Sequence, residues 1–191
     1  AALNGLGKPG MGCTATCAYI ENDTLAIAHV GDSRAYLLHE GTLIRVTRDH
    51  SYVEELVDAG EITADEARVH PNRSVITRAL GSDPAMYADH FTLHIEEGDR
   101  LILCSDGLSS MIPDSDIENI ATQSSTAQIC VDNLVDAALA AGGHDNITVA
   151  LARVTIEPSA QLEAPVVAEV GGYDLPTTRT RPVGTSTPVQ G

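Results

Sequence analysis

The chain holds 191 residues, 43% of them hydrophobic, which is enough for one domain with a sizeable core. Acidic residues number 27 against 11 basic ones, a net charge of −16, and this argues against nucleic acid or an anionic membrane as the main partner, since both need a basic face. Aromatic residues make up 3%, with no Trp and a single Phe91, so packing must rest on Val, Leu, Ile and Ala.

No run of about 18 apolar residues and no signal peptide is visible, which predicts a piece without membrane contact. Cys13, Cys17, Cys104 and Cys130 lack a metal-finger spacing and sit in apolar runs; reduced core thiols in a cytoplasmic protein are expected. The chain also starts without Met, as a processed protein or a fragment would.

The first ten residues are Gly-rich and without pattern. GCTATCAYI reads as a strand that places Cys13, Ala15 and Cys17 on one buried face. Asn22-Asp23 supplies a turn, and TLAIAHV, AYLLHE and TLIRVT then read as an antiparallel meander. Ser51-x-x-Glu54 and Thr63-x-x-Glu66 have capping-box spacing and open two short helices, with Gly60 suited to a stop. Residues 72–88 read as loop, FTLHIEE and RLILCSD as strands, and Ser115-x-x-Glu118 as the start of another helix. Residues 126–141 carry the longest helical pattern, and NITVALARVTI is the last strand. From Glu157 the composition turns to Pro, Thr, Val and Gly without sustained period, which predicts a disordered tail over 157–191 behind a domain at 1–156. Strands come early and helices late, so the class is α+β with mainly antiparallel sheet.

Three carboxylates share one setting. Asp32 follows LAIAHVG, Asp106 follows RLILCS and precedes Gly107, and Asp145 precedes the strand NITVALARV. Any one of them can be a turn residue. Three at strand ends in so acidic a chain would repel unless cations neutralised them, and oxygen-only donors suit Mg²⁺ or Mn²⁺.

GDSRAYLL, RDHSYVEELVDAGEIT, HPNRSVITRALG, LILCSDGLS and HDNITV occur in that order. This ordered set resembles the metal-dependent Ser/Thr protein phosphatases, the PPM or type 2C family, in its bacterial form, over about residues 11–156. The resemblance implies an αββα sandwich, two mainly antiparallel sheets flanked by helices, with a flap at about 49–81. It implies Asp106 and Asp145 as metal ligands, Asp32 as ligand of a third, looser metal, and Ser74 as a flap group helping to hold that ion. It implies two or three Mn²⁺ or Mg²⁺ ions in the complete domain and hydrolysis of phosphoserine and phosphothreonine by a metal-activated water. Phosphorylated proteins, and a Ser/Thr kinase with its substrates, are the implied partners.

Two departures qualify the resemblance. The family's phosphate-gripping Arg and its DGMGGH-type metal-bridging motif do not occur ahead of Gly12, so the catalytic group is left unassigned. The chain is expected to be the later two-thirds of a catalytic domain with an incomplete site and impaired activity. Many relatives carry Asp where Ser110 stands, which is expected to weaken the third site.

Other candidates have plainer readings. His29 alternates with apolar neighbours and reads as packed, His144 as a border of the site, and Cys104 as core, because no Arg follows it in a phosphate-cradling loop. Arg34 either pairs with a carboxylate or meets phosphate, and Arg73 and Arg78 either form surface ion pairs or meet acidic substrate groups. An inactive phosphatase-like module that binds phosphoproteins or metal is the alternative to an enzyme.

Overall fold

A computed structural model describes residues 10–155 and the backbone of residues 166–170. Strands β1 (Ala15–Glu21) and β2 (Thr24–Val30) form a hairpin, and β5 (Asp89–His94) adds to β2 to complete a three-stranded antiparallel sheet. The second sheet has five antiparallel strands in the order β4 (Thr42–Arg45), β3 (Arg34–His39), β6 (Arg100–Cys104), β7 (Ile147–Arg153), β8 (Val166–Val170). The meander expected from the sequence is therefore broken once. β2 and β3 lie in different sheets, and the Gly31-Asp32-Ser33 link crosses between them. Hydrophobic alternation assigns a strand's faces but not its partner, so the crossing is invisible in the pattern.

Two clusters hold the sandwich. Leu25, Ile27, Ala35, Leu37, Ile95 and Leu101 fill the space between the sheets, joined by Phe91, Leu93 and Leu103. The register sets Ile27 opposite Phe91 and Leu25 opposite Leu93, so these side chains stack on one face. The alternate residues of β3 and β6 (Tyr36, Leu38, Ile102 and Cys104) point the other way, into a larger cluster under the helices. Each fully buried Leu or Ile contributes about 1.5–3 kcal/mol by leaving water.

Helices α3 (Asp106–Ser109), α4 (Asp114–Gln123) and α5 (Ala127–Ala140) cover the outer face of the five-stranded sheet. α5 places Cys130, Val131, Leu134, Val135 and Ala138 on that face, at helical spacing. Its N-cap Thr126 accepts the Ile129 N–H. Helices α1 (Tyr52–Asp58) and α2 (Ala64–Val69) lie between β4 and β5, in the span expected to form the flap. Their caps are those expected: Ser51 accepts the Glu54 N–H, and Thr63 with Glu66 closes a complete capping box.

Several expectations need correction. Cys13 and Cys17 are exposed, because β1 is an edge strand whose outer face carries none of the packing of α3–α5; Tyr19 on that face is 63% exposed. Cys104 and Cys130 are buried, and all four thiols are free. Ser115 caps nothing; Pro113 is the N-cap of α4 and makes no side-chain cap bond, while Glu118 accepts the Leu43 N–H. The tail assigned to 157–191 contains β8, which pairs with β7 at Ile147↔Val170 through Leu151↔Val166. Five residues are too few to show a period, and a free edge of β7 supplies the pairing that composition does not announce. The remainder of that tail, 157–165 and 171–191, and the first nine residues lie outside the described residues. Among the described residues no helix is long and apolar enough to cross a membrane.

Candidate functional site

Asp32, Ser74, Asp106 and Asp145 line one cavity of about 370 Å³ at the ends of the strands. His144, Ser110, Arg34, Arg45, Asp49, Glu54, Asp114, Arg68 and Arg73 line it as well. The residues singled out at three separate strand ends and in the flap are thus brought together by the fold.

Backbone contact explains how Asp106 and Asp145 meet. Asp106 is the first residue of α3, directly after β6, and Asp145 stands two residues before β7, the neighbour of β6. Ser105 stitches the two ends: its N–H donates to the Thr148 carbonyl at 3.0 Å, its Oγ to the Asn146 carbonyl at 2.9 Å, and it accepts the Thr148 N–H at 3.0 Å. Gly107 completes the approach. A Cβ there would lie 2.3 Å from the Asn146 carbonyl oxygen, so any side chain would drive the two segments apart. Sequence reasoning missed Ser105; the pairing of β6 with β7 was the information needed.

Asp32 sits on the crossing between the sheets. Gly31 has φ +113°, and its Cβ would meet Thr14 Cγ2 at 2.2 Å, so glycine is required there. Arg34, two residues on, turns to Asp49, with Nε and Nη2 donating at 2.8–3.1 Å, and reaches Asp114 at 3.3 Å. Arg45 donates to Asp49 at 2.8 Å and pairs with Glu54 at 3.0 Å. Of the two readings of Arg34, the carboxylate pair is the one present. Arg78 likewise pairs with Asp89 at 2.5 Å and covers the Tyr87 ring. His29 is fully buried and hydrogen-bonded to Thr16 and the Arg48 carbonyl, as a packed histidine should be.

The electrostatics of the floor differ from those of its rim. Burial pushes the Asp32 carboxyl up to about 6, and the charge of Asp106 pushes the same way. Asp106 is raised by burial and then by the charge of Asp145. Among the described residues none of these three forms a salt bridge, while Arg34 and Arg45 are engaged by Asp49, Asp114 and Glu54. Mutually repelling carboxylates with oxygen-only donors, none of them taken up in a salt bridge, fit a hard divalent ion. No group of three or more His, Cys, Asp or Glu among the described residues is gathered tightly enough to hold an ion by itself. An ion that keeps much of its water shell and takes one or two carboxylates suits such an arrangement. Ser110 Oγ donates to the Asp106 carbonyl at 2.6 Å, fastening the first turn of α3 rather than leaving a free donor.

Two antiparallel sheets face to face, flanked by helices, with carboxylates gathered at the strand ends, define an αββα sandwich. Residues 7–147 match the family model described as Protein phosphatase 2C, and the chain belongs to that family. It is 41% identical over 142 residues to the serine/threonine phosphatase stp of Listeria welshimeri, an alignment covering 74% of this chain and 56% of that protein. It superposes on the crystal structure of the serine/threonine phosphatase Stp1 from Staphylococcus aureus with a TM-score of 0.75 at 36% identity, covering 81% of this chain and 61% of that one. A structure of the catalytic domain of PstP in complex with two manganese ions gives a TM-score of 0.65 at 38% identity, covering 74% of this chain and 58% of that one. The chain spans about half the length of the curated relatives it matches first.

Proposed function

We propose that this chain supplies the later part of the active site of a Ser/Thr protein phosphatase, with phosphoserine and phosphothreonine proteins as substrates. The observation that carries the reading is the convergence of Asp32, Asp106, Asp145 and Ser74 on one cavity. Asp106 and Asp145 would hold the core of the metal site, and Asp32 with Ser74 a further ion facing the flap. Bound there, Mn²⁺ or Mg²⁺ supplies Lewis acidity, activating water near neutral pH and offsetting charge on a phosphoryl group. The chain's own contribution is positional. Ser105 and Gly107 keep Asp106 beside Asp145, and the Gly31 turn holds Asp32 across from them. Arg68, Arg73 and Ser74 line the cavity from the segment between β4 and β5. Membership of the family and the two manganese ions in the PstP structure support the reading. A Ser/Thr kinase acting on the same substrates is the partner such chemistry implies, and a cytoplasmic location is the setting it implies.

The test is calorimetric titration of Mn²⁺ together with phosphate release from a phosphothreonine peptide, for the wild type and Asp106→Asn. Mn²⁺ affinity is expected to fall by about 10-fold or more in the variant, and phosphate release with it. Equal Mn²⁺ affinity in the two proteins would contradict the assignment. Mn²⁺ binding with no phosphate release by the wild type would favour a phosphoprotein- or metal-binding module instead.

A further inference from the structure

His50 does not line the cavity, yet it grips the turn that carries Asp32. The side chain is buried, 3% exposed. Its backbone N–H donates to the Gly31 carbonyl at 2.7 Å, and the Gly31 N–H donates back to His50 Nδ1 at 3.0 Å. A backbone N–H can only donate, so Nδ1 carries the lone pair and the ring proton sits on Nε2. That Nε2–H donates to Asp89 Oδ2 at 3.0 Å, and Asp89 is held in turn by Arg78.

The same tract reaches the flap. The His50 carbonyl accepts the Thr77 N–H at 2.8 Å, and the Tyr52 N–H donates to the Val75 carbonyl at 2.9 Å, one residue from Ser74. On the far side of Asp32, the residue before His50 binds Arg34 through both carboxylate oxygens. Two consecutive residues, Asp49 and His50, therefore clip Arg34 and Gly31, which flank Asp32 on either side. The left-handed φ of Gly31 leaves its N–H no strand partner, and the imidazole is what satisfies it.

We infer that His50 is a positioning residue for the cation site: through the Gly31 N–H it fixes the Asp32 carboxylate, and through Thr77 it keeps the Ser74 loop in register with it. The inference rests on the function proposed above. A buried acceptor that orients a ligand-bearing turn acts as an outer-shell partner, and loss of such partners costs about 10–100-fold in metal affinity.

Two substitutions separate positioning from plain support. Asn offers an acceptor near where Nδ1 stands and cannot reach Asp89. Gln reaches toward Asp89 and leaves the Gly31 N–H without its acceptor. Both remove one bond from a buried pair, so both should lower the melting temperature. His50→Gln should lose hydrogen-exchange protection at the Gly31 amide and weaken Mn²⁺ binding by about 10-fold or more, while His50→Asn keeps both near wild type. Equal losses of Mn²⁺ affinity in the two variants, or wild-type affinity in a folded His50→Gln, would overturn the inference. Should His50→Gln not fold, His50→Asn decides alone, and a 10-fold loss there overturns it. If the wild type binds no Mn²⁺, the proposed function fails and takes the inference with it; Mn²⁺ binding that ignores His50 sinks the inference alone.

Discussion

Asp32, Asp106 and Asp145 stand at strand ends backed by two buried clusters, whereas Arg68, Arg73 and Ser74 line the same cavity from a segment that buries little. The flap helices are seven and six residues long and bury only Val53 and Ala67. Val69 is 79% exposed, and Val75 and Ile76 are exposed as well. Its attachments are instead polar: the caps at Ser51 and Thr63, and the main-chain bonds of His50 and Tyr52 to Thr77 and Val75. Elements with few apolar contacts open at lower free energy than core strands. The wall that would hold ions is thus rigid, and the wall that would meet a protein substrate is the one free to adjust.

The contrast can be broken first at its base. Leu134 on α5 is fully buried beneath the five-stranded sheet. Leu134→Ala should cost about 2–5 kcal/mol in denaturant unfolding, since a cavity remains where the side chain was. A loss no larger than about 0.5 kcal/mol, that of a surface substitution, would contradict the packing described. The flap should respond more gently. Ser51→Ala removes the cap on α1 and should cost about 1 kcal/mol, with faster hydrogen exchange over Tyr52–Asp58 and none in β6. Exchange that rises equally in β6 would show that the walls are not separate units.

The smallest effect lies where the walls meet. Burial tends to raise the Asp89 carboxyl, but hydrogen bonds from His50 and Arg78 outweigh it and hold the group below its ordinary 3.8. A carboxyl depressed in the folded state adds stability above the unfolded value, and that stability is lost as the pH falls through the folded one. Wild-type stability should therefore decline as the pH drops past 3.8, and Asp89→Asn should flatten that part of the curve. Identical acid limbs in the two proteins would remove Asp89 from the account.

Much of the candidate site was legible because its residues sit at punctuation. Asp32, Asp106 and Asp145 each follow or precede an apolar run beside Gly or Ser, and the Thr63–Glu66 box announced α2 in full. What stayed hidden depends on which strand neighbours which. Ser105 matters only because β7 lies beside β6, and His50 only because the chain crosses between sheets at Gly31. Cys17 alternates as a buried residue would, yet its face of β1 is left open. β8 shows the converse: a short Val-rich run in a Pro-rich stretch finds order from the edge it joins.

The most direct test is anomalous diffraction from crystals of the protein grown with Mn²⁺. The account predicts an anomalous peak in the cavity, within coordination distance of the Asp106 and Asp145 carboxylates, and a weaker one beside Asp32 and Ser74. Mn²⁺ peaks confined to other surfaces, with the cavity empty at saturating metal, would contradict it.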